Sequence, residues 1–340
     1  MVILYPSYIY PVLLTFFKEV ELNGEDLEYY KSISLSLVIV LKNEETFLKK
    51  YKEQYRQVLK ELPNLTIHCI DDGSTDQTLA LLKECEQDRF SVDSNGLSLG
   101  KNLRIREFID ENPLFFKGAL YAFADGNTQF TKESIIQIMN AFQDNRVGCC
   151  SSVLEYNDGF RYEGTYWQNE NRIKKQESKV STQVGATGAL FAVREGVYQA
   201  QNDSFPIDLA LSLNALLKGF ASISTYKSRV FEDINSKDVS TRKHRTLLRG
   251  MSCAFFYLPL LMRSKKYLTV FCLVSHKVIR WFSPIFVILI LSGLNWFSFV
   301  LMMMVTLAFM PYSPIYLLKM FWSSVKAFLF FIVGKKIRKW

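Results

Sequence analysis

Paired aspartates occupy positions 71 and 72 in the tract DDGSTD, which closes the apolar run 65–70. That run reads as a buried strand, so both carboxylates sit at its carboxyl end, where open α/β sheets bind their ligands. The Gly-Ser-Thr-Asp that follows predicts a tight turn into a helix capped by Ser74 or Thr75. Paired acids at such a point suit a ligand with donors to offer, such as a uracil imide and ribose hydroxyls, and would repel a bare phosphate. A second apolar run, 119–124, ends in Asp125-Gly126-Asn127-Thr128. Taken with Asp71 and Asp72, its oxygens make a hard ligand set for Mg2+ or Mn2+ bridging a diphosphate. Each tract taken singly also reads as an ordinary Asp-Gly turn.

The elements that must position these acids alternate. Residues 35–41 are apolar and β-branched, 44–60 have helical spacing, 75–86, 100–111 and 131–142 read as helices, and 65–70 and 119–124 as strands. Such alternation predicts a mostly parallel sheet covered by helices. At 340 residues and 49% hydrophobic content the chain has material for a sizeable core, which excludes a disordered protein. Six cysteines and three histidines show no metal-ligand spacing, so buried reduced thiols are expected and a zinc site is not. Cys149 and Cys150 close a strand and should point to opposite faces of it.

Charge is divided along the chain. All 33 Asp and Glu lie at or before Asp238, whereas fifteen of the 41 Lys and Arg lie beyond it. An acid-free basic tail rich in Phe, Leu, Ile and Met suits anionic lipid better than nucleic acid. Residues 281–318 carry no charge, nearly twice the ~20 residues that span a bilayer. Pro311 and Pro314 divide this stretch into a helix ending near Met310 and another over 315–333, interrupted by Lys319 and Lys326. With Lys277 and Arg280 before it and KKIRKW after it, 281–334 reads as a hairpin with both ends cytoplasmic, or as membrane-embedded helices. The uncharged segment within 1–18 reads as an anchor or dipping helix, and 253–262 with 267–274 as interfacial amphipathic helices. The expected organisation is therefore an anchor at 1–18, a catalytic domain at 33–240, basic interfacial helices at 241–280, the hairpin at 281–334 and a basic end at 335–340.

Further tracts complete the pattern: VIVLKNEE at 38–45, FADGNT at 123–128, GATGALFAVR at 185–194, PIDLALSLNALLKGF at 206–220 and SHKVIRWFSP at 275–284. In order and spacing they resemble family-2 glycosyltransferases, especially the membrane-associated branch that includes cellulose and hyaluronan synthases. The resemblance implies an α/β GT-A nucleotide-sugar-binding domain, with a mostly parallel mixed sheet flanked by helices, an N-terminal anchor and C-terminal interfacial or transmembrane helices. It implies that Asp71 and Asp72 contact the nucleoside, that Asp125 serves the ribose and, with Asn127, a divalent cation, and that Asp208 is the general base. Arg245 falls on the diphosphate-binding arginine, and Gly185, Thr187, Gly188 and Arg242 on the acceptor side.

Four positions depart from the family pattern. Asn127 replaces the second acid of Asp-x-Asp, Ile207 the acid before Asp208, Arg242 a glutamine and Thr246 the tryptophan that stacks on an acceptor sugar in polymerising relatives. Lys101 reads as a phosphate ligand or a cation on a solvated helix face, the latter preferred. The expected activity is inverting transfer of one sugar from a nucleotide sugar, a UDP-sugar, to a lipid-linked or envelope-polysaccharide acceptor. The setting expected is the cytoplasmic side of the inner or plasma membrane, with membrane lipid as partner and no nucleic acid. A processive synthase and a catalytically degenerate nucleotide-binding partner are the alternatives.

Overall fold

The computed structural model describes residues 5–22, 26–156, 161–199, 202–233 and 239–282, with Trp322, Val325, Lys326 and Phe330; side chains are described outside 161–165 and 239–244. Among these residues eight strands form one sheet in the order β3-β2-β1-β4-β7-β6-β8-β5. Its first half is parallel: β1 (Ser34–Leu41) lies between β2 (Leu65–Asp71) and β4 (Ala119–Asp125), and β3 (Phe90–Ser94) adds to β2. Strands β1, β2 and β4 are buried on both faces, which explains their apolar runs. In the second half β7 (Leu190–Arg194) runs antiparallel between β4 and β6 (Val147–Tyr156), β8 (Ala221–Glu232) is parallel to β6, and β5 (Thr128–Gln129) closes the edge. The sheet is thus mixed, with helices on both sides.

Because β1 sends the chain to β2 on one side and receives β4 on the other, the crevice above their carboxyl ends is a topological switch point. The register places Asp71 beside Leu41 and Asp125 beside Val40, so the two acidic tracts flank the end of one strand. Cys149 and Cys150 open β6 and do not close a strand, but they do point to opposite faces, into separate apolar clusters.

Local structure departs from the sequence reading in several places. The helix expected over 44–60 is two, α2 (Glu45–Tyr51) and α3 (Glu53–Glu61), broken at Lys52. The helix expected from Thr75 begins only at Thr78 as α4 (Thr78–Lys83), and neither Ser74 nor Thr75 caps it. Their groups are used in a lateral link instead: Asn43 Oδ1 accepts from the Thr75 N–H at 2.8 Å, and the Asn43 N–H donates to Ser74 Oγ at 3.0 Å. Asp76 Oδ1 accepts from the Thr78 N–H at 2.9 Å, and so serves the first turn. In contrast α6 (Lys132–Ala141) starts where expected, on a Thr131 and Ser134 capping box.

Helices α5 (Lys101–Glu111), α7 (Arg161–Lys179) and α8 (Ile207–Leu217) complete the body. Two further helices, α9 (Val239–Arg263) and α10 (Tyr267–Leu273), the latter running on into a π-helical turn at Val274–Val278, pack against α7 and α8 around Leu209, Leu213, Met251, Ala254 and Cys272. The amino-terminal segment is docked there too, as a π-helical turn, Tyr5–Ile9, leading into α1 (Tyr10–Leu14), with Tyr10 and Leu14 buried. Among the described residues no helix is long and apolar enough to cross a membrane. The hairpin expected over 281–334 and the basic end at 335–340 lie outside the described residues, apart from Trp281, Phe282 and the four isolated residues.

Gly73 carries the turn after β2. Its φ is +68°, and a Cβ there would lie 2.9 Å from both the Leu97 carbonyl carbon and the Ser98 nitrogen, backbone atoms that cannot yield as a side chain would. Gly73→Ala should therefore lower unfolding stability by about 1–3 kcal/mol, read as a reduced midpoint in thermal or denaturant unfolding followed by tryptophan fluorescence. An unchanged midpoint would show that the 95–100 loop can move away freely.

Candidate active site

The buried acids Asp71 and Asp72 shape the crevice. Asp71 accepts from Ser94 Oγ at 3.1 Å and from the Ser74 N–H at 3.3 Å. Asp72 accepts from the Leu99 N–H at 2.8 Å, the Gly100 N–H at 3.0 Å and Ser98 Oγ at 3.2 Å, so its carboxylate holds the loop that leads into α5. Lys42 Nζ reaches the same loop, donating to Ser98 Oγ at 2.6 Å. This loop, pinned by Asp72, delivers Lys101 to the crevice.

Lys101 is no solvated surface cation. Its ammonium donates to Asp125 Oδ1 at 2.5 Å and to the Ala124 carbonyl at 3.3 Å. Asp125 nonetheless keeps 44% of its side chain exposed, which leaves it open to the crevice. Across from it, Asp208 stands in the first turn of α8, where the helix dipole favours a carboxylate. Gly188 lies between the two: a Cβ on it would sit 3.5 Å from Asp125 Oδ2 and 3.8 Å from Asp208 Oδ2. The two carboxylates therefore lie close to the same glycine, within ordinary van der Waals reach of a Cβ placed there.

Asp208 is hemmed in by protein atoms although the crevice still reaches it. Burial first, and then the charge of Asp125, push its carboxyl above the ordinary range, while Lys174 and Lys101 pull it back. A carboxylate whose proton affinity is raised in this way suits a general base. The loop before α8 is held from two sides, by Asn102 Nδ2 donating to the Phe205 carbonyl at 2.5 Å and by Arg249 Nη2 donating to the same carbonyl at 2.8 Å. Burial and the neighbouring Arg245 lower the pKa of Arg249, and Asp208 opposes that shift, so Arg245 and Arg249 of α9 belong to this end of the crevice.

The glycine tract runs along α8. The Gly185 N–H donates to Ser212 Oγ at 2.9 Å and the Ala186 N–H to the Asp208 carbonyl at 3.2 Å. Gly185 has φ +95°, and a Cβ on it would meet Leu209 and come within 3.6 Å of Lys277 Cε. Thr187, expected on the acceptor side, is fully buried and accepts from Lys174 Nζ at 2.9 Å, so its hydroxyl serves the protein interior. Arg242 lies in α9, with its side chain outside the described residues.

For a cation, the fit is partial. Lys101 occupies one Asp125 oxygen, Asn127 supplies a half-exposed amide two residues on, and among the described residues no three His, Cys, Asp or Glu side chains converge as a metal-holding group. Asp125 Oδ2 and the Asn127 carbonyl oxygen therefore suit a cation that takes its other ligands from phosphate and water, as Mg2+ commonly does. Sequence reading placed Lys101 on a solvated face, gave Arg249 no role of its own and did not single out Lys174. The Gly-Lys step at the start of α5 and the four-residue spacing of Arg245 and Arg249 were the available signals.

Residues 36–200 match the model of the Glycosyl transferase family 2, and this part of the chain is a family-2 glycosyltransferase domain. Among solved structures, the mannosyltransferase PcManGT from Pyrobaculum calidifontis in complex with GDP-Man and Mn2+ superposes with a TM-score of 0.70 at 11% identity, covering 97% of this chain and 96% of its own. That likeness establishes the GT-A-like fold. GalNAc-T7 with UDP, GalNAc and Mn2+ matches at a TM-score of 0.45 and 15% identity over 64% of this chain and 48% of its own. No curated protein matches the chain in sequence.

Asp208→Asn separates catalysis from stability. A group whose pKa is raised by folding contributes stability that is complete below its unfolded pKa and lost as pH rises through its folded pKa, so ionised Asp208 costs stability at neutral pH. The variant should unfold at a higher temperature than the parent at pH 7 and should lose that advantage in acid. Its turnover should fall by roughly 10²-fold or more with donor affinity within a few-fold. Near-normal turnover would remove Asp208 as the base.

Proposed function

We propose that the protein is a membrane-seated inverting glycosyltransferase that moves one sugar from a nucleotide sugar, a UDP-sugar in our reading, onto a lipid-linked or envelope-polysaccharide acceptor at the cytoplasmic face. The observation that carries this reading is the approach of Asp125 and Asp208 to Gly188 from two sides. The family-2 domain and the nucleotide sugar bound by PcManGT support the donor class. Retention of both acids speaks against a degenerate binding partner.

In this reading the nucleoside lies over the Asp71 and Asp72 turn, and the sugar projects toward Gly188. Asp208 takes the proton of the acceptor hydroxyl as that oxygen attacks the anomeric carbon. The bond from that carbon to the diphosphate breaks on the opposite side and the diphosphate leaves with the electron pair. Lys101, Arg245 and Arg249 supply positive charge around the departing group. A divalent cation held by Asp125 and Asn127 would neutralise further diphosphate charge. The replacement at Asn127 predicts loose binding of that cation in the absence of nucleotide.

A membrane seat is supported by the apolar surface of the C-terminal helices. Phe255, Phe256, Met262 and Tyr267 are exposed beside Arg263, Lys265 and Lys266, and Val12 and Phe16 are exposed in the amino-terminal segment. Exposed aromatics with flanking cations suit the interface of an anionic leaflet. Single cysteines at Ser313 and Lys339 in a cysteine-free protein should label from opposite sides of intact cells. Protection of both until the membrane is opened would replace the hairpin by an interfacial seat.

The function is tested by incubating detergent-purified protein with a panel of UDP-sugars and GDP-mannose, reading released nucleoside diphosphate with Mn2+ and with chelator. A UDP-sugar should be turned over in Mn2+, Asp125→Ala should abolish the signal, and Asn127→Asp should tighten Mn2+-dependent donor binding. Equal donor affinity with chelator present would remove the cation from the account.

A further inference from the structure

Lys174 presents a problem that the reaction described above does not solve. It is an almost wholly buried lysine on α7, in the body of the domain, and removing an ammonium from water is costly unless its position is put to use. Burial pulls its pKa down to about 8, which leaves it largely cationic at neutral pH. A methionine would fill the same space without that cost.

The neighbours of Lys174 show what it holds. Its Nζ donates to Thr187 Oγ1 at 2.9 Å and to the Ala186 carbonyl at 3.3 Å, and lies 5.5 Å from the centre of the Trp167 ring. Ala186 and Thr187 are the two residues before Gly188, the glycine approached by Asp125 and Asp208. Four charged groups face it: Glu170 and Glu177 from its own helix, Lys277 from the turn after α10, and Asp208 from α8. Glu170 lies one turn back on α7 and is already claimed. Lys277 Nζ and Arg280 Nη1 each reach it at 2.6 Å, and His276 Nε2 lies 3.1 Å away. Burial works against the charge of Glu170, but Lys277, His276 and Arg280 together hold its carboxyl well below the usual range. With Glu170 satisfied by the C-terminal segment, the Lys174 donors are directed at the glycine tract.

We propose that Lys174 is a positioning residue for sugar transfer, clamping Ala186 and Thr187 so that Gly188 stays in register between Asp125 and Asp208, with Glu170 tying this clamp to the 276–280 segment. The inference rests on Asp208 as the base. It assigns Thr187 to the clamp instead of the acceptor. It also gives the His-Lys-x-x-Arg pattern at 276–280 a task within the catalytic domain, since those three side chains hold the acid beside the clamp.

The test is a double-mutant cycle on turnover, with UDP-sugars and GDP-mannose as donors and released nucleoside diphosphate as the readout. Lys174→Met should lower kcat by at least tenfold, with donor KM within threefold and an unfolding midpoint no lower than the parent's. Thr187→Val should lower kcat comparably, Thr187→Ser should restore most of it, and Lys174→Met with Thr187→Val should cost little more than Lys174→Met alone, because both break the shared Lys174–Thr187 bond. Full kcat in folded Lys174→Met, or losses that multiply in the double variant, would overturn the proposal. If Lys174→Met fails to fold, the Thr187→Val and Thr187→Ser pair decides, and equal turnover in those two overturns it. Turnover retained in Asp208→Asn would instead remove the base, whereas its loss there beside full turnover in Lys174→Met would remove the clamp alone.

Discussion

Two carboxylates, Asp125 and Asp208, approach one glycine, and at such a distance they repel each other unless cations are supplied from elsewhere in the fold. The surrounding architecture answers that demand. Lys101 comes from the loop pinned by Asp72, Lys174 from α7, and Arg249 from α9, three elements distant in sequence. None of them abolishes the effect. Asp208 keeps a raised pKa, and so remains a willing proton acceptor, while Asp125 stays open to the crevice.

The sheet explains why this acidic pair exists at all. A parallel β1, β2 and β4 set collects carboxyl ends on one side, and the switch at β1 opens a crevice between the strands that carry Asp71 and Asp125. The opposite wall is added by α8 and the glycine tract, fastened through Ser212 and the Asp208 carbonyl. Beyond them α9, α10 and the docked amino-terminal segment form a second apolar cluster. Buried His276 lies between Glu170 and Glu177, and Tyr10 donates to Glu177 at 2.8 Å, so the two ends of the described chain meet at α7. The helices that expose aromatics are therefore bonded to the catalytic body.

Much of the first half of the sheet was legible because doubly buried strands write themselves as apolar runs that end in polar turns. β1, β2 and β4 fall within a residue or so of their expected bounds, and the acids at their ends follow from them. Helix beginnings were less legible. Ser74 and Thr75 look like caps, yet their groups bond laterally to Asn43, a partner that only the packing of two turns brings near. Asp208 was read as the base from its motif, but the buried lysine whose charge reaches it was not singled out. Lys174 carries no local sign of burial, since its neighbours Asn171, Arg172 and Lys175 are polar, and its meaning depends on a tract reached only through tertiary structure. Thr187 misled for the same reason: a threonine between glycines reads as a ligand contact until the interior lysine is seen.

The central claim is that Asp208 acts as a base on an incoming hydroxyl and not as a nucleophile on the sugar. The stereochemistry of the first product tests it directly. With whichever α-linked donor of the panel supports turnover, and water or acceptor as nucleophile, proton NMR recorded before mutarotation should show the β-configured product. Product that first appears in the α configuration would mean a covalent or front-side mechanism, and would contradict the role assigned to Asp208.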